Sequence, residues 1–306
     1  MGTQIRLGTR GSPLALAQAH MTAAALCAAH GWEVGAVEIV TVKTSGDRIQ
    51  DRPLADIGGK ALWTKELESA LLDSRVDIAV HSMKDVETRR PDGLMLAAML
   101  PRADVRDRLV GAAEIGALRQ GASLGTSSPR RAAQARALRP DLAIVALRGN
   151  VATRLAKLEA GEVDATLLAA AGLDRLGHPD VGSAIPVEIF LPAPGQGAVG
   201  IELREADSAT WALIAAIDHA PTSTCVFAER DLLDALAGTC HSPLAAHATL
   251  AGDMMHLRAE ILAGDGSERV SGERRTVASD ASAAARDLAG ELLRRASPGL
   301  RALFGG

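Results

Sequence analysis

Two distant stretches of the chain follow one plan. Leu7 to Ala19 reads LGTRGSPLALAQA, and Leu124 to Ala135 reads LGTSSPRRAAQA. Each runs from an apolar strand through Gly-Thr and Ser-Pro into an alanine-rich helix. Serine before proline is a helix N-cap, and proline is tolerated at the first helical position because that N–H has no intrahelical partner. A strand feeding directly into a capped helix is the first half of a β–α unit. The echo therefore predicts two α/β units of similar design, each presenting a helix N-terminus at the carboxyl end of a strand. At 306 residues the chain is long enough for more than one core.

The intervening pattern extends this plan. A helix follows Pro13 and ends at Gly31, and Val37 to Val42 is a β-branched strand. Residues 44–61 are polar and glycine-bearing, the signature of a long functional loop. Thr64 to Ser74 reads as a helix, and Val76 to Val80 as a buried strand entering His81-Ser-Met-Lys-Asp85. A second unit starts near residue 101. In it, Ala143 to Leu147 leads to Arg148-Gly-Asn150, where Asn150 caps a helix, and a strand Asp164–Ala169 precedes a short helix. LPAPGQG (191–197) reads as a hinge back to the first unit. Beyond Pro221 a helix, a strand hairpin, a further strand and a final helix predict a small α+β domain.

Composition narrows the function. Net charge is −4 and aromatic residues make up 2%, with no tyrosine. A general polyanion binder or a base-stacking surface is thereby disfavoured, so no nucleic-acid partner is expected. Of the 33 basic residues only Lys43, Lys60, Lys65, Lys84 and Lys157 are lysines. Arginine offers a planar fork of donors suited to carboxylates and phosphates; for most of these arginines a GC-rich genome is the better explanation. The start of the chain lacks the plan of a signal peptide, and no apolar run is long enough for a membrane span. The expectation is a reducing, cytoplasmic compartment with no membrane partner.

Several residues stand where chemistry is done. Arg130 and Arg131 occupy the first turn of a helix, where a cation opposes the macrodipole, and Arg10 lies just ahead of its own helix. That placement makes sense if an anion binds there. Arg148 stands at a strand end and Arg154 on the helix after it. Ligands of open α/β sheets bind beyond the carboxyl ends of the strands, so a ligand with several carboxylates or phosphates is implied. GxxxxGK[ST] does not occur, and the one GxGxxG, GQGAVG at 195–200, stands at the hinge-like stretch rather than between a strand and a helix, which demotes nucleotides. Asp85, read alone, is a salt-bridge partner for Lys84 or an arginine. The cysteines Cys27, Cys225 and Cys240 lack metal-ligand spacing, so no metal is expected. Cys27 reads as helix core and Cys225 as structural. Cys240, in LAGTCHSP, reads as a nucleophile or as an inert thiol.

HSMKDV (81–86), GTSSPRR (125–131), LRGNVATR (147–154), AGLDRLG (171–177), LPAPGQGAVGIE (191–202) and GTCHSP occur in that order behind RLGTRGSPLALAQA. With these motifs the chain resembles the porphobilinogen deaminase (hydroxymethylbilane synthase) family over essentially its full length. The resemblance implies an α/β fold of two similar lobes, like those of type II periplasmic binding proteins, plus a small C-terminal α+β domain. Residues 1–100 with 197–220, 101–196 and 221–306 are the expected domains. It implies head-to-tail joining of four porphobilinogen molecules, losing ammonia each time, into hydroxymethylbilane. A dipyrromethane cofactor would be held by a thioether to Cys240.

Each porphobilinogen ring carries an acetate and a propionate, so the growing oligopyrrole is a polycarboxylate. By motif position, Ser82, Lys84, Asp85, Thr126, Ser128, Arg130, Arg131, Arg148 and Gly149 match cofactor-binding positions. Arg10, Ser12, Lys60, Trp63, Arg148, Arg154 and Arg175 match substrate-binding ones. Asp85 matches the catalytic carboxylate that stabilises the cationic azafulvene left by ammonia loss and passes protons. A monomer is implied. The chain departs from the family pattern at Asp56, where lysine is frequent, and at Trp63, where phenylalanine is. It departs also at Glu87, Pro129 and Thr239. A binding protein for a polycarboxylate is the alternative that two lobes alone would fit.

Overall fold

The computed structural model describes residues 4–42, 61–239 and 242–304, with backbone alone for 61–63. Asp56, Lys60, the Trp63 side chain, Cys240 and nearly all of the expected 44–61 loop lie outside the described residues.

The local signals act where the sequence places them. Strand β1 (Ile5–Thr9) leads to helix α1 (Pro13–His30), whose N-cap Ser12 accepts from the Ala15 amide at 3.3 Å. Gly31 ends α1 with φ 64, a left-handed cap that suits glycine. Then come β2 (Val37–Thr41), α2 (Ala61–Leu72), β3 (Ile78–Ser82) and β4 (Leu94–Met99). The next stretch holds β5 (Asp107–Val110), β6 (Ser123–Gly125), α3 (Pro129–Leu138), β7 (Ala143–Val145), α4 (Val151–Glu159), β8 (Ala165–Ala169), α5 (Ala170–Arg175) and β9 (Ser183–Ala184). Strand β10 (Val199–Arg204) and α6 (Ser208–Ile214) follow. The chain closes with α7 (Ala220–Ala235), β11 (Leu244–Ala251), β12 (Met254–Leu262), β13 (Arg269–Val277), α8 (Ala281–Arg295) and α9 (Pro298–Arg301).

Two compact units result, Met1–Ala103 with Ala198–Ser223, and Asp104–Gly197 with Thr224–Gly306. The first holds a five-stranded sheet in the order β2-β1-β3-β10-β4. The second holds a five-stranded sheet, β7-β6-β8-β5-β9, and a three-stranded one, β11-β12-β13. The two five-stranded sheets match strand for strand. In each, the strand preceding the Ser-Pro helix is flanked by two parallel partners, and the fourth strand runs antiparallel to both its neighbours. The echo between Leu7–Ala19 and Leu124–Ala135 is thus an echo of topology.

In the first lobe the sheet is covered on both faces, as parallel strands require. Ile78 and Val80 of β3 belong to one apolar cluster with Ala19 and Leu26 of α1, while Ala79 between them joins Leu67 and Leu71 of α2. Each fully buried leucine there contributes about 1.5–3 kcal/mol. Cys27, expected in the helix core, is only half-buried at its margin, its thiol 3.6 Å from the Glu33 carbonyl. In the second lobe Leu109, Leu124, Leu167 and Phe190 form the core. The small α+β part packs α7 and α8 on its sheet through Leu232, Leu257, Ile261, Leu288 and Leu292, and Cys225 is buried in that cluster.

Within the second unit, buried polar groups join the second lobe to the small sheet. The Glu229 carboxylate accepts from the Gly195 and Ala248 amides, each at 2.7 Å, and Gln134 Nε2 donates to Glu260 Oε1 at 2.6 Å.

Candidate functional site

In the first lobe, the adjacent parallel strands β1 and β3 end side by side. From β1 come Arg10 and Ser12, both half-buried. From β3 come Ser82 and a single 3-10 turn, Met83–Asp85, which carries Lys84 and Asp85, both half-buried. Gln18 of α1 links the two ends, its Nε2 donating to Ser82 Oγ at 2.8 Å. The Asp85 turn rests on β10. Met83 N donates to the Ala198 carbonyl at 3.1 Å, and a Cβ on Gly200 would lie 2.1 Å from Met83 Sδ, so only glycine permits this approach.

In the second lobe, β6, β7 and β8 likewise end together. Thr126 is buried and Ser128 caps α3, accepting from the Arg131 amide at 3.4 Å. After β7 come Arg148 and Gly149, whose φ of 112 and close approach to Thr153 exclude a side chain. Asn150 Oδ1 caps α4 through the Thr153 amide at 2.9 Å. Arg154 Nε donates to the Gly149 carbonyl at 3.0 Å. Arg175 ends the helix after β8, and one of its nitrogens donates to the Gly197 carbonyl at 2.7 Å.

The sequence reading looked for an anion beside Arg130 and Arg131. The structure supplies one from the chain itself. Asp107, fully buried at the start of β5, accepts from Arg130 at 2.7 Å, Arg131 at 2.6 Å and Gln196 Nε2 at 3.0 Å. Burial alone would raise its pKa, but the two guanidinium charges and their hydrogen bonds hold the carboxyl well below the usual range. Arg130 also donates to Gln134, which continues to Glu260 and from there to Arg269. The buried members, Arg130, Arg131, Asp107 and Glu260, balance in charge, and Arg269 beside Glu260 is exposed. Sequence reasoning missed Asp107, Gln196 and Glu260. The available signal was an acid opening a short strand that ends on apolar residues, Asp107-Arg-Leu-Val110.

Burial pushes the Arg175 pKa down, with Asp174 only partly offsetting this, and its Nε, like those of Arg130 and Arg131, is buried without a hydrogen-bond partner among the described residues. Among those residues no group of three or more histidine, cysteine, aspartate or glutamate side chains is arranged to hold a metal, and no helix is long and apolar enough to cross a membrane.

Residues 5–212 match the family model "Porphobilinogen deaminase, dipyromethane cofactor binding domain", and residues 223–294 match "Porphobilinogen deaminase, C-terminal domain". The chain belongs to the porphobilinogen deaminase family. Similar relatives named porphobilinogen deaminase include one from Sphingopyxis alaskensis, 58% identical over 98% of this chain and 96% of its own length. Another, from Paracoccus denitrificans, is 53% identical over 95% and 94%. Among solved structures the BvgS VFT2 domain of Bordetella pertussis is 13% identical, covering 70% of this chain and 85% of its own, at a TM-score of 0.42.

The cofactor of porphobilinogen deaminases is dipyrromethane, two rings with carboxylate arms. The second lobe's edge fits such a group. It places the half-buried Ser128 hydroxyl at a helix N-terminus and, at Arg175, a desolvated cation short of an acceptor.

Proposed function

We propose that this chain joins four porphobilinogen molecules head to tail, releasing ammonia each time, to give hydroxymethylbilane in tetrapyrrole biosynthesis. The observation that carries this reading is the match of both family models, in order, across both parts of the chain. The polycarboxylate-binding alternative accounts for neither the C-terminal domain match nor the names of the relatives.

When bound, the dipyrromethane cofactor supplies the pyrrole carbon to which the first substrate unit is joined. The thioether to Cys240 is assigned on the GTCHSP motif. Asp85 is the catalytic carboxylate. Its oxygens accept hydrogen bonds from pyrrole N–H groups, offset developing positive charge, and take up and return protons. Ser82 and Lys84 flank it on the same turn and orient carboxylate arms. Thr126, Ser128, Arg148 and Gly149 donate to the cofactor's acids, and Arg130 and Arg131 are assigned there on the GTSSPRR motif. Arg10, Ser12, Lys60, Trp63, Arg154 and Arg175 are assigned to the substrate's acids and ring. Arginines hold anions but cannot stabilise a cation, which is why a carboxylate is needed among them. Domains of 1–100 with 197–220, 101–196 and 221–306, a monomeric state and a cytoplasmic location complete the proposal. The net charge of −4 agrees with a small-molecule substrate rather than nucleic acid.

Intact mass of the purified protein, with an Ehrlich colour test for pyrroles, tests this reading. From cells that make porphobilinogen, the expected mass exceeds that of the bare chain by two pyrrole units, and Cys240→Ser returns the bare mass. A bare mass and no colour in the parent protein overturns the function. Pyrroles surviving denaturation on Cys240→Ser overturn the attachment site.

A further inference from the structure

We infer that Glu202 and Arg90 are positioning residues for Asp85, because one buried carboxylate ties together both ends of the segment that carries it. The inference rests on the role proposed above for Asp85. His81 precedes Ser82 at the end of β3, and Arg90 closes the far side of the segment. Glu202 lies on β10, paired with Ala79 and diagonal to His81 in the antiparallel register, so the Glu202 and His81 side chains share one face of the sheet. One Glu202 oxygen lies 3.0 Å from His81 Nε2, and the other accepts from Arg90 Nε at 2.7 Å. Arg90 then donates to Glu68 Oε1 on α2 at 2.6 Å. His81 and Glu202 are buried, and the Arg90 side chain is 9% exposed.

The segment between these clips has a three-residue 3-10 turn as its only regular structure. Its internal bond, Val86 N to the Met83 carbonyl, is long at 3.3 Å. The segment's two ends are held by a desolvated charge network with bonds at both Glu202 oxygens, an arrangement that tolerates little drift. Burial would raise the Glu202 carboxyl, but His81 and Arg90 hold it ionised, below the ordinary range. The strand that carries Glu202 also carries Gly200, which accommodates Met83. The residues two apart on β10 therefore shape the Asp85 turn from beneath and clip its ends. Displacing a reacting carboxylate by roughly 1 Å costs on the order of 100-fold in rate while leaving the binding arginines in place.

The test compares steady-state kinetics of the pyrrole-loaded enzyme for Arg90→Met, Arg90→Lys and Glu202→Gln, with Asp85→Asn in parallel. Pyrrole content is checked by mass and folding by circular dichroism. Arg90→Met is expected to lower kcat by about 10-fold or more, with KM for porphobilinogen changed by less than about 3-fold. Arg90→Lys, which can still reach a carboxylate, should recover most of that loss, and Glu202→Gln should fall between. If Arg90→Met does not fold, the Lys and Gln variants carry the comparison, since a purely structural role would lower stability without separating kcat from KM. Parent-like kcat in folded Arg90→Met, or in Glu202→Gln where Met is lost, overturns the inference while leaving Asp85 in place. Equal losses in the Met and Lys variants overturn it too. Normal turnover by Asp85→Asn removes the role of Asp85 itself, and the positioning role with it.

Discussion

Replacing Asp107 by asparagine removes one negative charge from a site with no access to water and leaves two guanidinium groups facing each other. Asp107 accepts from Arg130 at 2.7 Å, Arg131 at 2.6 Å and Gln196 at 3.0 Å, and its side chain is 0% exposed. Removing one partner of a buried ion pair costs about 3–5 kcal/mol. That is a large share of the ~5–15 kcal/mol that holds a typical domain together. With a urea slope of about 3 kcal/mol/M, the unfolding midpoint should fall by roughly 1–1.7 M. The sign with pH follows from the depressed carboxyl. An unfolded aspartate titrates near ~3.9, so the contribution of Asp107 is complete above that value and is lost as pH falls through the lower folded value. The gap between parent and Asp107→Asn should therefore be the same at pH 5 and pH 8, within about 0.5 kcal/mol, and should close only in stronger acid. Adding Arg131→Met to Asp107→Asn removes one uncompensated cation, so the double variant should be no less stable than the single one. Urea melts followed by far-UV circular dichroism at the two pH values measure all of this. A midpoint shift below about 0.3 M, or a double variant markedly weaker than the single, would refute the electrostatic account.

Two other substitutions probe the site. Gly200→Ala places a methyl where Met83 Sδ now lies; it should cost about 1–3 kcal/mol in thermal or urea stability and lower kcat through the Asp85 turn, and unchanged kcat would separate that turn from β10. Arg148→Leu should stall chain elongation, seen by mass spectrometry as an altered ladder of enzyme-bound pyrrole intermediates, and an unchanged ladder would remove Arg148 from substrate handling.

What could be read in the sequence was what local chemistry decides. Ser12-Pro13, Ser128-Pro129 and Asn150 announce helix starts because a cap acts within three residues, and each caps its helix as expected. Gly31 ends α1 for a similarly local reason. The first-turn arginines read as needing an anion, since a helix end has a known polarity, and that anion is expected to be a ligand. That the anion is Asp107 depends on β5 pairing antiparallel with β8, a long-range fact that no local pattern encodes. Glu202 and Gly200 were hidden for the same reason. The sequence reads as a hinge over 191–197 with no strand after it, whereas Val199–Arg204 is a central strand between β3 and β4 that is recognisable only by its register with them. Cys27 misled because helical spacing alone does not say which flank of α1 the sheet covers.

The order of strands in the first lobe has a consequence for how the protein is made. β10 lies between β3 and β4, yet it follows them by about a hundred residues of chain that build the second lobe. As the polypeptide leaves the ribosome, the first lobe has a gap in its sheet until residue 204 has emerged, whereas the strands of the second lobe form a continuous run. The lobe synthesised first is therefore completed last. The strand that completes it brings Gly200 against Met83 and Glu202 to His81 and Arg90, so a nascent chain acquires the supports of the Asp85 turn only after the second lobe has been built.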